Sequence, residues 1–417
     1  MVEKKKLVPE LRFPEFDGEW ESIKLGKRSS KIGSGKTPRG GSNVYIDSGI
    51  PFIRSQNIKD NRLELDETHI SDAIHTEMSG SKVLSNDILL NITGASIGRS
   101  CVVPNSIKEA NVNQHVCIIR LKTDDPRFMQ LYLSSWHGQK LIFEAQTGSG
   151  REGLNFESIR KFQIPLPTLP EQQKIAGFLS AIDKRIQLLQ KKKEHLEIYK
   201  KGVMQQIYSQ KIRFKDENGQ DFPDWEEKKL GEVGSTYGGL TGKSKEHFGN
   251  GKPYVQYMQI FSDSVIRPED FGYVEISKNE KQNRVRYGDM FFTTSSETPN
   301  EIGTASVILS EVDEVYLNSF CFGYRPKSLE VLDPNYSRYL FRSTPFRSKI
   351  IVLAQGSTRF NMSKVELMKL TILLPHIKEQ LKIADLLSNI DASIEQLTSQ
   401  LESTQSFKKG LLQKMFV

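Results

Sequence analysis

The chain has little of what metal, redox or disulfide chemistry requires. Its 417 residues include three cysteines and seven histidines. Cys101, Cys117 and Cys321 form neither a metal-ligand spacing nor a disulfide framework, and the histidines are scattered without a His-Glu-x-x-His pattern. No apolar run approaches a bilayer span, and Met1-Val2-Glu3-Lys4-Lys5-Lys6 is not followed by a signal-like apolar stretch. A reduced, cytoplasmic protein is the expectation, with no membrane contact. A dense basic tract is also missing: a net charge of +7 and a pI near 9.0 favour an acidic partner only mildly. A hydrophobic fraction of 37% with 26% charged residues fits a globular chain, and the length implies two to four domains.

Catalytic patterns are absent as well. Gly33-Ser34-Gly35-Lys36-Thr37 looks like a phosphate-binding loop, but that loop needs a glycine where Ser30 stands. The comparable Gly242-Lys243-Ser244 has Tyr237 at that place. Asp333-Pro334-Asn335-Tyr336 lacks the second proline of an adenine-methyltransferase loop, and no carboxylate-lysine nuclease spacing is found. No catalytic residue, metal site or bound cofactor is expected in this chain.

What is present is a duplication. Glu171-Gln172-Gln173-Lys174-Ile175-Ala176 returns 208 positions later as Glu379-Gln380-Leu381-Lys382-Ile383-Ala384, and eleven of the twenty residues in 171–190 equal their partners in 379–398. Trp20 and Lys24-Leu25-Gly26 return as Trp225 and Lys229-Leu230-Gly231, and Val112-Asn113-Gln114 answers Leu317-Asn318-Ser319. Two similar units give pseudo-twofold symmetry, which suits a partner with near-dyad symmetry such as duplex DNA.

The repeat reads as domain, helix, domain, helix, with boundaries at 1–165, 166–210, 211–372 and 373–417. Short apolar runs broken by Gly, Pro, Asn and Asp predict strands in each domain, and 126–144 and 334–353 predict helices. The expected class is α+β: two mixed domains with mostly antiparallel sheets, and two long helices forming an antiparallel coiled coil. Ile175, Leu179, Ile182, Ile186, Leu189, Leu196, Val203 and Ile207 alternate steps of four and three, with Lys193 and Lys200 in skipped slots. Ile383, Leu387, Ile390, Ile394, Leu397, Leu401, Leu411 and Met415 keep the same phase, with Thr404 and Lys408 where apolar residues belong. Such a heptad seam cannot remain in water. Packing of each rod on its own domain is the alternative. About 37 residues per rod give roughly 55 Å.

With these motifs in view, the chain resembles the specificity (S) subunit of Type I restriction-modification systems. The resemblance rests on Leu166-Pro167, Pro170-Glu171-Gln172, Lys174-Ile175-Ala176 and Ile182-Asp183, on their later copies through Ile390-Asp391, and on the domain openings at Trp20 and Trp225. It implies two target recognition domains that read the halves of a split, asymmetric double-stranded DNA site. The helices would set the spacer and help dock two modification (M) subunits, and two restriction (R) subunits would join. S-adenosylmethionine, ATP and Mg are expected on those partners, which would methylate adenine N6 and carry out ATP-dependent restriction. A two-armed coiled-coil scaffold without sequence readout is the competing reading.

Groups suited to phosphates and base edges give the candidate DNA contacts. In the first domain they are Lys36, Thr37, Arg39, Arg54, Gln56, Asn57, Thr93 and Arg151. In the second they are Lys243, Ser244, Tyr257, Gln259, Thr293, Thr294, Ser295 and Arg359. Asn113 and Asn318 fit either a base contact or a structural turn.

Overall fold

A computed structural model describes residues 6–146, 153–356 and 359–417. The chain forms two compact units. One runs to Gln190 and takes back Ser399–Val417; the other is Lys191–Thr398.

In the first unit the strands Ser29–Ser34, Val116–Leu121, Ile88–Asn91 and Ser100–Val102 form an antiparallel sheet in that order. A second sheet orders His69–Ile70, Ile50–Ile53, Glu109–Val112 and Lys82–Leu84, with Ile50–Ile53 and Glu109–Val112 parallel. Val116 to Ile119 are all buried, which explains a continuous apolar run where a half-exposed strand would alternate. Helices Pro126–Ser134 and Trp136–Glu144 meet at Ser135, which ends one and caps the other. Their Phe128, Met129, Leu133 and Ile142 enter the core beside Leu90 and Ile119.

The second unit repeats the plan. Gly234–Gly238, Cys321–Pro326, Met290–Thr293 and Ala305–Ile308 are ordered like their counterparts, and Val265–Ile266 adds a parallel edge. Phe248–Val255 runs parallel to Tyr316–Leu317, as Ile50–Ile53 does to Glu109–Val112.

The long helices are Leu169–Tyr208 and Ile377–Lys414, of 40 and 38 residues. Each unit holds a stretch of both, running antiparallel. In the first, Ile175, Ala176 and Leu179 share a core with Leu411, Met415 and Phe416, while Asp183 meets Lys408. In the second, Ile207 and Tyr208 share a core with Ile383, Ala384 and Leu387, while Lys200 meets Asp391. Ile186, Ile390, Leu397, Leu411 and Met415 are buried, and Ile182, Leu189, Leu196, Val203, Ile394 and Leu401 half-buried. Both packings weighed from the sequence therefore occur: helix against helix, and helix end against domain core.

Glu171 and Gln172 join domain to helix. Arg12 donates to both Glu171 oxygens at 2.8 Å, and Trp20 Nε1 adds a bond of 3.2 Å. Arg213 and Trp225 hold Glu379 the same way. Gln172 accepts from the Asp125 amide and donates to the Pro167 carbonyl; Gln380 accepts from the Asp333 amide and donates to the Pro375 carbonyl. Buried polar groups need such partners, so the repeated Glu-Gln is a structural joint.

Candidate nucleic-acid interface

Turns at the ends of the strands carry most of the candidate contacts. Gly35 lets the first of these loops pass close to a strand, since a Cβ there would lie 1.6 Å from the Val112 carbonyl oxygen. Gly239 does the same beside the Asn318 carbonyl, at 2.0 Å. The Gly35-Lys36-Thr37 segment leads into a short 3-10 turn, Gly41–Val44, and not into the helix of a phosphate loop.

Past Gly35, Lys36, Thr37 and Arg39 are exposed. The Thr37 hydroxyl donates to Gln114 Oε1, and the Gln114 amide reaches His115 Nε2 at 3.2 Å. The other ring nitrogen, Nδ1, faces Thr93 Oγ1 at 2.6 Å. Thr37 and Thr93 thus meet through two residues absent from the candidates read in the sequence. Asn113 holds the turn: its Oδ1 accepts the His115 amide at 3.1 Å.

Arg54, Gln56 and Asn57 converge on another group, Asp66, with bonds of 2.6, 3.2 and 3.1 Å. Burial of Asp66 raises its pKa, but bonds from Thr68, Asn57 and Arg54 outweigh this and hold the carboxyl below the usual range. Arg151 lies outside the described residues.

In the second unit Tyr257, Thr294, Ser295, Asn318 and Arg359 are brought together. Tyr257 OH donates to the Ser295 carbonyl at 3.0 Å. Ser295 pairs across a short ladder with Asn361, two residues beyond the exposed Arg359. Burial raises the Tyr257 phenol, with Arg359 opposing the shift. Asn318 Oδ1 accepts the Phe320 amide at 2.8 Å, repeating the Asn113 turn. Thr294 donates to the Phe320 carbonyl at 2.6 Å.

Other candidates are already engaged. Lys243 has only 6% of its side chain exposed and donates to Glu280 at 2.6 Å. That bond is the chief cause holding the Glu280 carboxyl down to about 2. Ser244 bonds Glu246 and His247, and the Gln259 side chain bonds the Gln256 amide and the Arg267 carbonyl. Thr293 is fully buried, accepting the Thr304 amide.

His115 and Phe320 occupy the same place in their turns, two residues after Asn113 and Asn318. The repeat contained the signal, because the two asparagines align; the unlike rings hid it.

No group of three His, Cys, Asp or Glu able to hold a metal ion occurs among the described residues, and no described helix is long and apolar enough to cross a membrane. Burial pushes the thiols of Cys101, Cys117 and Cys321 up to about 12, so none is a ready nucleophile.

Sequence comparison agrees with this duplicated plan. The profile of the Type I restriction modification DNA specificity domain matches twice, at residues 18–198 and 223–403. The chain belongs to this family of Type I DNA specificity subunits. The MjaVIII specificity subunit of Methanocaldococcus jannaschii is 26% identical over 96% of this chain and 92% of its own. The EcoBI specificity subunit of Escherichia coli is 33% identical over 31% of this chain and 28% of its own. The fold is shared with the crystal structure of the S subunit from M. genitalium, at a TM-score of 0.60 and 16% identity, covering 98% of this chain and 99% of that one. Each matched stretch runs from a domain into the long helix that follows it.

Proposed function

We propose that this chain reads a two-part, asymmetric DNA site and directs adenine methylation and ATP-dependent restriction by partner subunits. The observation that carries the reading is a duplicated turn with different chemistry. Asn113 and Asn318 form the same side-chain-to-backbone bond, while His115 with Thr93 stands in one unit and Phe320 with Thr294 in the other. Equivalent scaffolds with unlike side chains meet unlike base edges, hence an asymmetric site. Lys36, Arg39 and Arg359, all exposed, suit phosphate contacts that position the reader without specifying sequence.

The paired helices act as the ruler for the unspecified spacer. They also present equivalent exposed rings, Tyr199 at 56% and Phe407 at 58%, which fits docking of two like modification subunits. S-adenosylmethionine, ATP and Mg belong to those partners and to the two restriction subunits; this chain supplies the address.

Selection from a random duplex library by the assembled complex, followed by sequencing of the bound fraction, tests the reading. Two conserved half-sites around a fixed spacer are expected, with affinity falling as salt rises. Salt-insensitive binding without an enriched motif would favour a scaffold.

A further inference from the structure

We propose that Phe320 reads a thymine methyl group in the half-site of the second unit. The inference rests on the DNA-reading function proposed above and names one specificity determinant within it.

Three hydrogen bonds fix the backbone of Phe320. Its amide donates to Asn318 Oδ1 at 2.8 Å, and its carbonyl accepts from the Thr294 amide at 3.1 Å and the Thr294 hydroxyl at 2.6 Å. The ring is nevertheless 57% exposed, while the next residue, Cys321, is buried. A pinned turn that holds an apolar ring toward solvent has its direction set before a partner arrives, which lowers the ordering cost of binding.

The first unit supplies the contrast. There the same turn carries His115, whose Nδ1 lies 2.6 Å from Thr93 Oγ1. The linked Thr93, Gln114 and His115 put polar atoms at that turn, whereas a phenyl ring has no donor or strong acceptor. The one apolar feature that distinguishes a base pair in the major groove is the thymine C5 methyl. Phe320 can therefore discriminate bases by packing on that methyl, with Thr294 as the positioning residue behind it.

The test uses the full chain in its complex and the site selected from the random library. Each thymine of the second half-site is replaced in turn by deoxyuridine, which lacks only the methyl. Wild type should lose about fourfold in affinity at one position, roughly the worth of one buried methyl group. Phe320→Ala should bind thymine and deoxyuridine there alike, keeping every deoxyuridine effect of the first half-site. Thr294→Val should weaken the preference without abolishing it. A second half-site without thymine, a wild type indifferent to every replacement, or a Phe320→Ala variant that keeps the preference would overturn the proposal. Equal losses for both bases in Phe320→Ala, with an indifferent wild type, would assign the ring to stacking instead. Failure of the underlying reading is separate, since no two-part site would then be selected.

Discussion

Lys408 occupies a seam slot that the heptad reserves for an apolar side chain, and its ammonium lies 2.5 Å from a carboxylate oxygen of Asp183. Lys200, its equivalent in the repeat, makes the same bond to Asp391, also at 2.5 Å. Arg338 and Tyr339 complete the Asp391 site, each at 2.8 Å. A charged pair at a seam position favours one helix register over its neighbours, because a slip leaves both charges unpartnered.

Lys408→Ala should therefore cost about 1.5–3 kcal/mol, the range for hydrogen bonds to charged groups. A double-mutant cycle with Asp183→Ala, followed by denaturant unfolding, should show positive coupling. Strict additivity would mean that the pair has no energetic role.

Glu171 offers a harsher test of the joint between domain and helix. It is 1% exposed, while Arg12 and Trp20 both donate to it. Glu171→Gln keeps the shape but leaves the guanidinium without its counter-charge, so a loss of roughly 3–5 kcal/mol is expected. Chemical denaturation followed by tryptophan fluorescence would measure it, and Glu379→Gln should behave alike through Arg213 and Trp225.

The Lys243–Glu280 pair predicts a pH response. The Glu280 carboxyl is depressed from an ordinary value near 4.5 to about 2. Its stabilising contribution is thus fully present above pH 4.5 and is lost as pH falls through about 2. Carboxyl NMR titration should show the low midpoint in the wild type and a return toward 4.5 in Lys243→Ala.

The same pairing separates two lysines that look alike in sequence. Lys36→Ala should reduce the slope of log affinity against log salt by about 0.9, the effect of one lost phosphate contact. Lys243→Ala should leave that slope unchanged, because its ammonium is held by Glu280. Equal effects from the two substitutions would contradict the distinction.

These pairs also show what the sequence could disclose. The seam was legible because burial imposes a period on consecutive residues, and Lys200 and Lys408 were visible as interruptions of it. Their partners were not, since Asp391 and Asp183 come near only through the fold. Asp66 and Glu280 likewise take Arg54 and Lys243 from the pool of available cations, across 12 and 37 positions of chain. Strand order was hidden because the parallel pairing of Ile50–Ile53 with Glu109–Val112 needs a long crossover that local patterns do not encode. The Asn113 and Asn318 turns were half-legible: the repeat marked the position, and only geometry showed the side chain bonding its own backbone.

On the function proposed above, the paired helices set the spacer between the two unlike half-sites. Deleting one heptad from each, in matching places, shortens the rods by about 10 Å, or roughly three base pairs at 3.4 Å each. Library selection with the wild type and this variant, both folded, should return the same two half-sites with the spacer about three base pairs shorter in the variant. An unchanged spacer would rule out the helices as the ruler.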